Sequence, residues 1–296
     1  MKSTLDKYKF EPKDIWSVDE IGVQTVHRPN KIVAQKGVLQ VGKGTSAERG
    51  QTVTMVLPVS AIGNSVPLMF VFSRVFFKNL FLNNGPPGCI GTSYPFGWIT
   101  SESFFKFIKH FHGHVRSTKG NPCLLVLDNH ELHLSIEVLN LCKENGIVML
   151  SFPPHTSHRL QPLDRSVYGP FKKFYFASVA DWMINNPGKT VTIYDIPGIV
   201  KMALPRAINP TNIISGFQAT GVAPYNREVL TDDEFLSSAV TDREMTSQDS
   251  TSRAGTSNAD GLQSKVNRTE TTTAVPPTSK DVSLGVFTVS PQDIRP

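Results

Sequence analysis

Cysteine is scarce: Cys89, Cys123 and Cys142 are the three in 296 residues, and no two form a CxxC pair. An odd, widely spaced set builds no disulfide framework and is expected in a reducing compartment. Cys123 and Cys142 fall in apolar stretches and are expected to fill core. No run of about 18 apolar residues occurs, which excludes a membrane-spanning helix. The N-terminal MKSTLDKYKFEPKD has no apolar signal-peptide core. A Walker A loop, a GxGxxG turn and a GxSxG nucleophile elbow are also missing. The phosphate-cradle, dinucleotide and serine-hydrolase signatures are therefore excluded.

Acidic charge is sparse in most of the chain and gathers at its end. Residues 231–296 hold 6 Lys/Arg and 10 Asp/Glu, a net of −4, which leaves 24 basic and 15 acidic residues, a net of +9, in 1–230. The last segment is rich in Ser, Thr and Asp, nearly without aromatics, and shows neither helical nor strand periodicity. It reads as a disordered tail, because it cannot bury enough apolar surface to offset chain entropy. Residues 1–230 read as one folded domain, with C-terminal helices from about 190. A basic domain suits a polyanionic partner, since Lys and Arg release the counterions condensed on phosphates.

Residues 15–26, 51–60 and 66–72 read as an antiparallel meander, the last two joined by Ile62-Gly63-Asn64-Ser65. The stretch 27–50 reads as a polar, Gly-rich linker, and 80–97, with Asn83-Asn84-Gly85-Pro86-Pro87-Gly88, as a loop. Thr100 or Ser101 can cap a helix to about Phe111, with Phe104, Phe107, Ile108 and Phe111 on one face. CLLVLD (123–128) and 147–152 read as buried parallel strands flanking a helix that stops at Asn145-Gly146. Helices are expected after Asp164, with Pro170 in the first turn, then near 195–208 and 212–219. Trp16, Trp98 and Trp182 lie in apolar patterns and are expected in the core. The element order predicts an α/β, RNase H-like fold: a mixed five-stranded sheet flanked by helices.

Three aspartates stand at marked positions. Asp19 lies in IWSVDEIGV, Asp128 ends CLLVLD, and Asp164 closes PPHTSHRLQPLD. Between the first two lie 108 residues, and between the last two 35. Each alone is a favoured turn or cap residue. Together, one on a first strand, one ending a buried strand and one about 35 residues on, they suit a two-metal carboxylate site. Side chains alternate along a strand, so Asp19 and Glu20 cannot both face one site. A buried carboxylate is costly without a compensating charge. Removing the Asp128 charge is accordingly expected to stabilise the metal-free chain by relieving like-charge repulsion. All-oxygen donors suit Mg²⁺, a hard cation.

The surrounding words carry a resemblance. VDEIG (18–22), ERGQTVTMVLPVSAIGNSVPLMFVF (48–72), FGWITSESFFKFIKHF (96–111), LLVLDNHELH (124–133), LSFPPHTSHRLQPLDRSVYGPFKK (150–173) and IISGFQATGVAPYN (213–226) occur in that order. Over roughly residues 10–230 the chain resembles the DDE endonuclease/transposase domain of the pogo, Tigger and jerky group, in the mariner-like superfamily. The group's VDETG has Ile21 here, which removes a hydroxyl but no metal ligand. The resemblance implies an RNase H-like fold and selects Asp19, rather than Glu20, as the first acid. It implies Asp19, Asp128 and Asp164 as catalytic metal ligands, two Mg²⁺ or Mn²⁺ ions, and hydrolysis and strand transfer on DNA. A nuclear location and a homo-oligomer on DNA ends go with that reading. Members of the group carry a helix-turn-helix domain ahead of the catalytic one; none is read here. The chain is thus expected to be a fragment, a decayed copy or a domesticated product, and a non-catalytic DNA- or chromatin-binding role stays open beside the enzymatic one.

Other polar residues near the acids have two readings each. Arg159, Arg165, Lys172 and Lys173 are candidates for holding the DNA backbone, or form a solvated helix face. Asn129 and His130 are candidates for orienting water or phosphate, or cap a turn. His155 and His158, like His130 and His133, have HxxH spacing, but no Cys lies at ligand distance in sequence, which argues against structural zinc. His110, His112 and His114 read as structural or solvent-facing.

Overall fold

A computed structural model describes residues 1–26, 50–154 and 156–229. The expected linker at 27–50, up to Arg49, the last residue of the expected domain, Leu230, and the expected tail 231–296 lie outside the described residues. Short helix α1 (Lys2–Tyr8) leads into β1 (Ile15–Gln24), β2 (Thr52–Ser60), β3 (Met69–Ser73) and β4 (Ile90–Tyr94). Then follow α2 (Ser101–Val115), β5 (Cys123–Leu127), α3 (Ile136–Glu144) and β6 (Ile147–Ser151). The chain continues through α4 (Ser157–Leu160), α5 (Pro162–Ser166), α6 (Tyr168–Asn185), α7 (Ile196–Ala207) and α8 (Pro210–Ala219). The strands form one sheet in the order β4-β3-β2-β1-β5-β6. β2 runs antiparallel to both neighbours; the other pairs are parallel. This is the RNase H-like arrangement, with one strand added beside β3.

The sheet therefore has six strands, not the expected five. The added strand, β4, lies within the stretch read as a loop. The Asn/Pro/Gly cluster ends at Gly88, whose φ of +72° suits a turn, and the chain then pairs with β3 from Met69↔Ile90 to Ser73↔Tyr94. Within the strand, Gly91 is needed for close packing. A Cβ there would lie 2.6 Å from the Phe77 ring. Tertiary packing thus overrides local propensity.

Alternation along the strands splits the core between two faces. Ile15, Ile21, Val23, Leu124, Val126 and Val148 pack beneath α6, α7 and α8. Trp16, Val18, Val56, Val71, Leu125 and Leu127 pack beneath α2 and α3. Helix α2 begins in a reciprocal cap: Ser103 N–H donates to Thr100 Oγ1 at 3.2 Å, and Thr100 N–H donates to Ser103 Oγ at 2.6 Å. Such a cap contributes about 1 kcal/mol. Phe104, Phe107, Ile108 and Phe111 are fully buried on its inner face, each burial stabilising by roughly 1.5–3 kcal/mol. Helix α3 stops where expected. Gly146 takes φ +67°, and a Cβ there would meet the Thr118 carbonyl oxygen at 2.1 Å.

Trp16 is buried and Trp182 packs at the core edge, but Trp98 is 71% exposed. Gly97, at φ +73°, turns the chain beside Ser73 and Thr52, and the indole that follows points away from the sheet. Among the described residues no helix is long and apolar enough to cross a membrane.

Candidate active site

Asp19 and Asp128 come together through strand register. β1 and β5 are parallel neighbours with Ser17 opposite Val126. Two residues beyond that pair bring Asp19 and Asp128 level, on strands about 4.8 Å apart. β5 ends at Leu127, so Asp128 stands just past its carboxyl end.

Asp164 arrives from another part of the chain, in the first turn of α5. That turn is fastened to β1 by Gln161, which is fully buried. Its amide nitrogen donates to the Val18 carbonyl at 2.9 Å, and its carbonyl oxygen accepts from the Ser17 hydroxyl. Tyr168, also buried, donates its hydroxyl to the Asp19 carbonyl at 2.9 Å and holds the start of α6 against the same strand. From behind, α8 packs on α5 through Gly216, where a Cβ would lie 2.4 Å from the Pro162 carbonyl oxygen. The Ser166 hydroxyl donates to the Asn212 carbonyl at 2.6 Å across the same contact.

The electrostatics follow from this gathering. Burial, then the charges of Glu20, Asp164 and Asp128, push the Asp19 carboxyl well above the usual range. Burial of the carboxyl also raises Asp164, although the residue is exposed and Lys172 and His158 pull it back. Asp128 behaves differently. Burial alone would raise it, but the close contact and charge of His133, with help from His130, leave it below its ordinary value. The charge relief expected at Asp128 therefore belongs to Asp19; Asp128 is already paired with a cation.

That cation is His133. It lies in a 3₁₀ turn, Glu131–Leu134, and is buried with its ring 4.3 Å from that of Phe104. Its Nδ1 is 3.0 Å from Asp128 Oδ1, an ion pair whose angle falls short of a good hydrogen bond. Its Nε2 is 3.2 Å from Glu20 Oε1. Burial opposes the charged ring, but the two carboxylates outweigh it and push the pKa up to about 9. Glu20 thus lies on the face opposite Asp19, as alternation requires, and anchors the histidine. Among the described residues, the ligand-type atoms that close to within 4.8 Å of one another belong to Glu20, Asp128 and His133, not to the three aspartates.

The remaining sequence-predicted residues spread around this edge. Asn129 and His130 are exposed, and His130 Nδ1 accepts from Leu132 N–H at 3.4 Å, capping the 3₁₀ turn. His158, Arg165, Lys172 and Lys173 are exposed and Arg159 is half-buried. His155 lies outside the described residues. His110 is tied into the fold, its Nε2 donating to the Pro67 carbonyl at 2.7 Å, and His114 is exposed. Sequence reasoning set Glu20 aside in favour of Asp19 and raised His133 only in an HxxH pattern it judged not to be structural zinc. The available signal was an acid on the opposite strand face, with a histidine five residues past Asp128.

The donor set fits a divalent cation. Asp19, Asp128 and Asp164 offer hard oxygen ligands, and the mutual repulsion felt at Asp19 is the charge a cation would offset. His133 does not fit as a ligand, because both ring nitrogens already face carboxylates.

Residues 82–217 match the family described as DDE superfamily endonuclease, a span holding Asp128 and Asp164. A curated relative, the MFS-type transporter clz9 of Cochliobolus lunatus, is 28% identical over 235 residues, 76% of this chain and 25% of its own length. The chain thus spans a quarter of the relative to which that name applies. The crystal structure of the Mos1 strand transfer complex aligns with TM-score 0.47 and 12% identity, covering 75% of this chain and 56% of that one. The Mos1 mariner paired end complex with Mn aligns with TM-score 0.44 and 11% identity, covering 76% and 60%.

Proposed function

We propose that the chain is a transposon-derived DDE endonuclease domain of the pogo, Tigger and jerky group, cutting and joining DNA in the nucleus. The observation that carries the reading is the Gln161 clamp. It brings Asp164 to the strand on which Asp19 stands level with Asp128. A turn or cap aspartate needs no such buried support.

Asp19, Asp128 and Asp164 would hold two Mg²⁺ or Mn²⁺ ions. The ions, when bound, supply Lewis-acid polarisation of the phosphate and lower the pKa of the attacking water or 3′-hydroxyl. The protein's own groups do the rest. The three carboxylates set the position of the reacting phosphate. Exposed Arg165, Lys172 and Lys173, with Arg159 behind them, hold the DNA backbone. Asn129, His130 and His158 stand at the solvent edge, where they can steady a phosphate oxygen or a water. In hydrolysis, water adds in line at phosphorus, the 3′-oxygen leaves with a proton, and a free 3′-hydroxyl results. In strand transfer, that hydroxyl attacks a second phosphodiester and displaces its 3′-oxygen. A homo-oligomer on paired DNA ends would bring the two reactions together.

The test is nicking of supercoiled plasmid in Mg²⁺ or Mn²⁺ by the full chain, beside Asp19→Asn and Asp128→Asn. Metal-dependent nicking lost in both variants supports the reading. A variant that nicks at the wild-type rate removes that residue from the site. A folded wild-type chain that binds DNA but never nicks it leaves the domesticated, DNA- or chromatin-binding role.

A further inference from the structure

The structure assigns His133 a positioning role: its buried ring bridges Glu20 and Asp128 and fixes the Asp128 carboxylate toward the site shared with Asp19 and Asp164. This rests on the reading of Asp128 as a metal-holding acid.

Four observations carry it. First, the ring cannot move freely. It is 2% exposed and packed 4.3 Å from the Phe104 ring. Second, both nitrogens are committed, Nδ1 at 3.0 Å from Asp128 Oδ1 and Nε2 at 3.2 Å from Glu20 Oε1. An imidazole that ligates an ion must turn one bare nitrogen toward it; this one turns both toward carboxylates. Third, contact is made by one oxygen of Asp128, and that oxygen is buried with no other partner. The grip therefore fixes the rotamer through Oδ1, the one oxygen the ring contacts. Fourth, the placement is set by the backbone. Asp19 and Glu20 are consecutive on β1 and project to opposite faces, so Glu20 stands behind the sheet edge and Asp19 in front. Asp128 meets the ring from just past the end of β5. The His130 cap on the 3₁₀ turn holds His133 at the height of Glu20.

Groups that hold a metal ligand in place are worth roughly 10–100-fold in metal affinity or activity. The experiment measures Mn²⁺ affinity by calorimetry on the full chain. It also measures the Mg²⁺ concentration giving half-maximal nicking, with melting temperature as the fold check. His133→Phe keeps the packing on Phe104 and removes both N–H groups. His133→Gln keeps one donor, and Glu20→Gln keeps the ring but removes its charged anchor.

The expected result is Mn²⁺ affinity weakened roughly 10–100-fold in His133→Phe, with a matching rise in the Mg²⁺ requirement. His133→Gln should recover part of the loss, and Glu20→Gln should show a smaller shift of the same sign. If His133→Phe does not fold, the other two variants carry the comparison. A variant set with lowered melting temperature but wild-type Mn²⁺ affinity and Mg²⁺ requirement would overturn the role, since a purely structural histidine predicts that pattern. Wild-type protein that binds Mn²⁺ but never nicks DNA would remove the endonuclease reading and leave the affinity comparison to decide on His133. Wild-type protein that binds no Mn²⁺ would overturn both.

Discussion

Gln161 donates its side-chain amide to the Val18 carbonyl at 2.9 Å, and through this contact the turn carrying Asp164 is tied to the strand carrying Asp19. The same side chain accepts from Ser17, so one buried residue satisfies two groups of β1 that face no solvent. Proximity of the acids is thus built into the core rather than left to a loop.

Replacing Gln161 with Leu keeps the volume and removes both contacts. Each buried polar group left unpaired costs roughly 1–3 kcal/mol. Urea unfolding should therefore show a clear loss of stability. Mn²⁺ affinity should fall with it, because α5 is no longer held to β1. Unchanged stability would mean that Ser17 and Val18 find other partners and that the clamp is dispensable.

The tryptophans give a second prediction. Trp16 is buried and meets Phe111 edge-on at 5.5 Å, whereas Trp98 is 71% exposed. Trp16→Ala should cost about 3–5 kcal/mol. Trp98→Ala should change stability by under about 0.5 kcal/mol. Acrylamide quenching of the two single replacements should agree, with most of the accessible fluorescence lost in Trp98→Ala.

Much of this fold is legible because it rests on periodicity. The spacing of Phe104, Phe107, Ile108 and Phe111 marks the inner face of α2, and the unbroken apolar run at 123–127 marks a central strand. What is hidden depends on contacts distant in sequence. β4 is masked by the Asn/Pro/Gly cluster just ahead of it, and its Gly91 makes room for the packed Phe77 ring. Trp98 looks like core until the turn at Gly97 directs it outward. At the site, alternation separates Asp19 from Glu20 but does not say what Glu20 meets on the far face. Its partner, His133, is 113 residues away and is brought there by a short capped turn. Gln161 is likewise an ordinary residue in PPHTSHRLQPLD until β1 is known to run beside it.

The thiols provide a check on the two cores. Burial pushes Cys123 and Cys142 up to about 12, and Cys142 also donates to the Met149 sulfur at 3.3 Å. At pH 8 about one in ten thousand such groups is a thiolate, the form that reacts. Cys89, half-buried, is raised by the same cause and should react slowly. A thiol reagent should therefore modify at most Cys89 in the folded chain, with Cys123 and Cys142 following only on unfolding. Rapid labelling of Cys142 would mean that α3 opens readily from the sheet.

Two charge-removing variants should have opposite effects on the metal-free protein. Asp19 is half-buried beside Glu20, Asp164 and Asp128, so its folded-state carboxyl titrates above its unfolded value. Its favourable contribution to folding is present in acid and is lost as pH rises through the folded pKa, so at neutral pH its charge opposes folding. Asp19→Asn removes that charge and should raise the melting temperature in EDTA, by about 2–4 °C for each kcal/mol recovered. The gain should shrink as the pH falls toward the ordinary carboxylate range. Asp128 is held below its ordinary value by His133, so its contribution is present at neutral pH and is lost in acid. Asp128→Asn breaks a largely buried pair and leaves His133 with Glu20 alone, so the melting temperature should drop. Adding Mg²⁺ or Mn²⁺ should stabilise the wild type and do little for either variant, because ligand binding stabilises only the state that binds. Calorimetric melting of the three proteins with and without metal checks all of these signs. A loss in Asp19→Asn equal to that in Asp128→Asn would show that the acids do not repel one another in the folded chain.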